Sequence, residues 1–193
     1  MKKIGGYGVA LALGLLACEG PPNEPSTAAL SQSLIVSQEL APSDGMAFDH
    51  FCSVAVSGDL ALLGAQGRAP HGALYGFARS GASWVQEGSA LLPPATTTGF
   101  ILGEALAISG NTAVAGGDNL AIAYTHQSGG WVQQGEPFVN PVSTGISLFG
   151  GALGLEGDTA LVASPYSDTL RGRVYVFTRS GTSWSQQPDY LVG

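Results

Sequence analysis

Lysine is absent beyond Lys3, and only 11% of the 193 residues are charged. After the first 18 residues the chain keeps five arginines, at 68, 79, 171, 173 and 179, against fourteen acidic residues, a balance of about −9. Such a chain has no basic stripe for a phosphate backbone, which argues against nucleic acid as a partner and against anionic headgroups. Cysteine is scarce too: Cys18 and Cys52 alone provide neither a disulfide framework nor a metal cluster. The three histidines, His50, His71 and His126, share no metal-ligand spacing. No nucleophile elbow, phosphate loop or His-Glu-x-x-His pattern occurs. The expectation is therefore no catalytic residue, no metal and no cofactor. The one dense polar group is Asp49-His50 beside Cys52, which converges only if that segment turns, and Cys52 itself reads as a small buried thiol.

Long apolar runs are also few. Lys2 and Lys3 precede an uncharged apolar stretch over residues 4–17, the pattern of a secretory signal and too short for an ordinary spanning helix. Leu15-Leu16-Ala17-Cys18 then resembles a bacterial lipobox, which implies cleavage before Cys18 and lipidation of its thiol. Residues 1–17 are thus expected to be a lipoprotein signal peptide. Residues 18–33, which contain Pro, Ser and Asn without a hydrophobic period, are expected to form the lipidated Cys and a tether. The resemblance implies an exported protein anchored at the bacterial cell envelope.

What is abundant is glycine, 29 residues of it, and its placement is periodic. Gly58, Gly110 and Gly157 each sit in a Ser/Glu-Gly-Asp/Asn turn, and Trp84, Trp131 and Trp184 each follow a Ser-Gly or Gly-Gly turn, with copies 47 to 53 residues apart. Within the first copy, residues 53–56, 60–65, 73–79 and 84–91 alternate or run apolar between tight turns, giving four short antiparallel strands. Counting back from Trp aligns Tyr75 with Ile122 and Tyr175, Phe77 with Tyr124 and Phe177, and Arg79 with His126 and Arg179. His126 then reads as a solvated strand end, and the tryptophans as packing anchors between sheets. One four-stranded sheet per repeat is the signature of a β-propeller. The expected fold is all-β, a partial propeller of about three blades (51–99, 100–148, 149–193) plus an extra N-terminal strand over 34–40, the outer strand of a preceding blade whose loop runs to residue 50.

The third copy, Phe149-Gly150-Gly151 and onward to Pro165, resembles the FG-GAP repeat of integrin α-chain heads, in its exported bacterial variant; the likeness covers about 34–193. Leu102-Gly103 lacks the Phe, and Phe51-Cys52 is one residue out of register. The resemblance implies a propeller and, in many members, a calcium loop between the first two strands. Here that connection is cut to a two-residue turn, which cannot supply the six to eight oxygens calcium takes, so calcium is not carried over.

Three blades fall short of the roughly four to eight that close a ring. Three explanations stand: the repeats are part of a longer protein, chains self-associate to complete a propeller, or the short stack tolerates bare ends. The loops between second and third strands vary while the framework repeats, which makes them the expected binding sites. They carry Arg68 and His71 in the first copy and Tyr166, Asp168 and Arg171 in the third. The functional expectation is a non-enzymatic, envelope-anchored lipoprotein that binds protein or glycan. The alternatives are a truncated piece of a longer propeller with no independent function and, third, a hydrolytic enzyme on this scaffold.

Overall fold

Small apolar residues between two-residue glycine turns build three successive antiparallel sheets in the computed structural model, which describes residues 38–95, 101–141 and 147–192. The expected signal peptide, Cys18 and the expected tether lie outside the described residues. The first sheet has the order β1 (Phe51–Ser57), β2 (Leu60–Ala65), β3 (Ala73–Ser80), β4 (Ser83–Leu91). The second runs β5 (Ala105–Ser109), β6 (Thr112–Gly117), β7 (Leu120–Gln127), β8 (Gly130–Gln133), with β9 (Phe138–Val139) also on β7. The third is β10 (Leu153–Glu156), β11 (Thr159–Ser164), β12 (Arg173–Ser180), β13 (Ser183–Val192), with a single turn α1 (Ser167–Leu170) before β12. They are the blades of a partial β-propeller.

Register bears out the alignment made from the tryptophans. Leu63 pairs with Tyr75, Ala115 with Ile122 and Val162 with Tyr175, while Arg79, His126 and Arg179 each pair with the Trp that follows them. Gly58, Gly110 and Gly157 take φ of +58°, +58° and +54°, the left-handed conformation that a two-residue hairpin turn requires.

The core lies between the sheets. Leu62 and Leu74 of the first blade join Leu102, Ile122, Tyr124 and Trp131 of the second in one buried cluster. Val114, Ala121 and Phe138 of the second join Phe149, Val162, Tyr175 and Phe177 of the third in another. A large apolar side chain buried in this way contributes about 1.5–3 kcal/mol, and a lone sheet has nothing to bury it against. Two further devices recur at both seams. A Cβ on Gly64 would collide with Gly103 O, and one on Gly116 with Gly150 O, so glycine sets the close approach of the inner ends. At the opposite end Ser57 Oγ accepts from Gly110 N at 3.0 Å, and Ser109 Oγ accepts from Gly157 N at 3.1 Å.

Two expectations are corrected, and a third, the N-terminal strand, falls only partly within the described residues. Of the N-terminal strand, 34–37 lie outside the described residues, and 38–40 are not strand. The segment from 38 instead lies on the first blade: Leu40 packs against the cluster of Leu63, Tyr75 and Phe77, and the Gln38 side chain exchanges two hydrogen bonds with the Trp84 backbone, at 2.6 and 2.7 Å. Cys52 is exposed, not buried, because it is the bulged residue of β1: Phe51 pairs with Ala65 and Ser53 with Gly64, leaving Cys52 unpaired. His126 is no solvated strand end. Its Nε2 lies 2.6 Å from Glu87 Oε2 across the first seam, and its ring meets Trp131 of its own blade edge-on.

Candidate functional site

In the loop of Arg68 and His71 the arginine is engaged within the chain. Arg68 is held by Asp44 Oδ2 at 2.6 Å, by the Asp44 carbonyl at 2.8 Å, by Asp49 Oδ2 at 3.5 Å and by the Tyr75 hydroxyl. The guanidinium fastens the 44–49 segment to the blade. The arginine beside Asp44 holds that carboxyl below its ordinary range, and desolvation pushes the Tyr75 phenol up to about 12. The segment does turn at Asp49-His50, with His50 at φ +47°, but it turns Asp49 inward, where its carboxylate accepts the Met46 N–H at 2.8 Å. The His71 carbonyl accepts from Leu102 N at 2.8 Å, which makes the end of this loop a strut to the second blade.

The corresponding loop of the third blade is open. Tyr166 is half exposed and Arg171 is exposed, while Asp168, Thr169 and Leu170 form a turn with φ between +54° and +69°. Asp168 Oδ1 is 3.5 Å from Arg173, whose guanidinium lies 4.4 Å from the centre of the Tyr190 ring. Arg171, Arg173 and Leu191 line a cleft of about 400 Å³ on the side of the blade turned away from the second sheet.

The turn acids at the start of the second strands are engaged by arginine. Arg79 Nε lies 3.2 Å from Asp59, and Arg179 reaches Asp158 at 2.6 Å and stacks on Trp184. In the second blade Asn111 and His126 replace that pair, which frees His126 for Glu87. Among the described residues no group of three or more His, Cys, Asp or Glu is placed to hold a metal.

A further cleft, unforeseen from the sequence, lies at the seam between the second and third blades. It holds about 470 Å³ and is lined by Glu136, Phe138, Val139, Phe177, Trp184 and Gln186, with Gly135, Pro137 and Ser183 at its edges. Phe138 stacks on Phe177, 4.2 Å between ring centres and 7° from parallel, and meets Trp184 edge-on. Pro137 lies in the gap between β8 and β9 at this opening. Its counterpart in the third blade, Tyr190, pairs within a continuous outer strand, whereas proline has no N–H to donate and the strand breaks into β8 and β9. Pro137 was the available signal.

Comparison with known proteins bears on the fold. Residues 36–77 match the FG-GAP repeat model. No curated protein matches the chain. The matched stretch spans the 38–50 segment, β1, β2 and most of β3, and the later sheets repeat the same order of antiparallel strands. Residues 36–77 are an FG-GAP repeat, and the chain is a propeller-type protein built from three sheets on that plan.

Proposed function

We propose that this chain is a non-enzymatic binding module, exported and held at the cell envelope by lipid on Cys18, that takes a protein or glycan ligand. The seam cleft carries the reading: a preformed, aromatic-floored concavity with a polar rim, of a size suited to a small ligand or the end of a larger one. Arg68, which sequence reasoning places in a binding loop, pairs with Asp44 and Asp49, and His126, read there as a strand end, pairs with Glu87. The anchor is tested by expressing the full chain and its Cys18→Ser variant in a bacterial host. The expected result is an acylated N-terminal peptide by mass and a membrane-bound chain, with the variant released; an unacylated wild type sinks the anchor. Binding is tested by probing glycan and peptide arrays with the purified Cys18→Ser chain, where the absence of any saturable signal counts against a binder.

A second reading is favoured by the third blade. Its face turned away from the second sheet carries Leu161 and Leu191, 38% and 61% exposed, at positions whose counterparts Leu62 and Phe138 are buried at the internal seams. Self-association of the chain through that face would cover them, and solution mass measures it.

A further inference from the structure

Trp84, Trp131 and Trp184 occupy one position of the repeat, yet the two internal seams treat it differently. Trp131 is 4% exposed and closed over by the first blade, where a Cβ on Gly76 would come within 2.6 Å of its Cδ1. Trp184 is half-buried and lines the open cleft beside the broken outer strand of the second blade. Arg179 lies over the indole, 5.4 Å from its ring centre, and its Nε1 donates to Gln134 Oε1 at 3.0 Å. Both the orientation of Trp184 and its polar atom are therefore fixed from behind.

We infer that this cleft binds a neutral saccharide, its apolar C–H face against Trp184 and its hydroxyls on Glu136, Ser183 and Gln186. The inference rests on the binding-module reading above. Three observations select the chemistry. No arginine lines the cleft and Glu136 stands at its rim, so an anionic ligand meets a carboxylate and no cation. Phe138 and Phe177 spend their faces on each other, leaving one indole rather than the two or three faces with which an aromatic cage encloses a quaternary ammonium. The indole N–H is committed to Gln134, so it is not free to donate to a peptide carbonyl. One flat apolar surface with a rim of carboxylate, amide and hydroxyl matches a pyranose, which presents C–H groups on a face and hydroxyls around its edge.

The test is a calorimetric titration of the full chain carrying Cys18→Ser, with cellotetraose and chitotetraose as probes to about 10 mM, the range where single-platform affinities fall. The proposal expects saturable change with at least one of them. Glu136→Ala and Gln186→Ala are each expected to weaken it about 5-fold, the worth of one hydrogen bond, with an unchanged thermal melt because both side chains are exposed. Trp184→Phe keeps a ring in place and is expected to weaken binding while retaining the fold. Binding that survives all three substitutions overturns the cleft as the site. If neither saccharide binds but a proline-rich decapeptide or choline gives a saturable change lost in Trp184→Phe, the ligand class is overturned and the binding module stands. If none of the probes binds, the saccharide proposal falls and the site loses its support for the binder.

Discussion

Tyr124 stands where the other two blades have Phe77 and Phe177, and its hydroxyl is buried in the first seam with no hydrogen-bond partner among the described residues. A buried unsatisfied hydroxyl costs about 1–3 kcal/mol, so Tyr124→Phe is expected to raise stability by about 1 kcal/mol, read as a higher urea midpoint at unchanged slope. Burial also holds the Tyr124 phenol above its ordinary range, and desolvation takes Tyr75 to about 12. Both groups keep their protons more tightly folded than unfolded, so their share of stability is intact below about pH 10 and is lost as the pH rises toward and past 12. The substituted chain should therefore unfold less steeply in alkali than the wild type. Glycine gives the second contrast at this scale. Gly157 has φ +54° with open space around it, whereas Gly150 has φ +96° and a Cβ there would meet Leu120 O and, at 3.2 Å, Gly117 N. Gly157→Ala is expected to cost about 1 kcal/mol from backbone strain alone, and Gly150→Ala about 3 kcal/mol, because it also forces the second seam apart. Equal losses in denaturant melts would mean that the inner ends are not held by close approach.

At the scale of elements, the 38–50 segment depends on Arg68. Its guanidinium joins Asp44, the nearly buried Asp49 and Tyr75, and the side chain is only 16% exposed. Arg68→Ala leaves Asp49 without its counter-ion and is expected to lower the denaturant midpoint, with faster proteolysis around residues 42–49. Arg68→Lys should recover only part, since an ammonium cannot present the same fork to two carboxylates; a protease pattern like wild type in the alanine variant would show that Leu40 and Gln38 hold the segment alone. The strands were legible in the sequence because each is a short apolar run between glycine turns, and three copies fixed their register through the tryptophans. The role of Arg68 was not, because an exposed-looking loop gives no sign that residues 19 and 24 positions earlier fold back onto it. His126 misled for a related reason: its strand position was read correctly, but its partner Glu87 lies on another blade 39 residues away. Pro137 carried the signal for the cleft, yet only the pairing of its counterpart Tyr190 with Tyr175 shows what proline interrupts.

For the whole molecule the two outer faces of the stack are unequal. On the first blade, the 38–50 segment places Leu40 against the cluster of Leu63, Tyr75 and Phe77, much as Leu91 packs at the first internal seam, so the middle of that face is already covered. On the third blade, Leu161, Val174, Val176 and Leu191 face away from the second sheet, the two leucines exposed and the two valines half-buried. Their counterparts at the internal seams meet the next blade. A head-to-tail partner would have to displace Leu40, so association between copies is expected to join third blade to third blade about a two-fold axis, which lets one patch serve both sides. Each partly buried side chain returns about 1 kcal/mol or somewhat more, against an association cost of about 4–15 kcal/mol. The dimer is therefore expected to be weak and concentration-dependent. Light scattering on the full chain with Cys18→Ser should show a mass rising from monomer toward dimer between about 1 and 100 µM, a range set by that balance. Leu161→Asp with Leu191→Asp should hold it monomeric, and the melt should not fall because neither side chain is buried. A wild-type chain that stays monomeric throughout, or a double variant that associates as before, removes the third blade's face as the surface of contact.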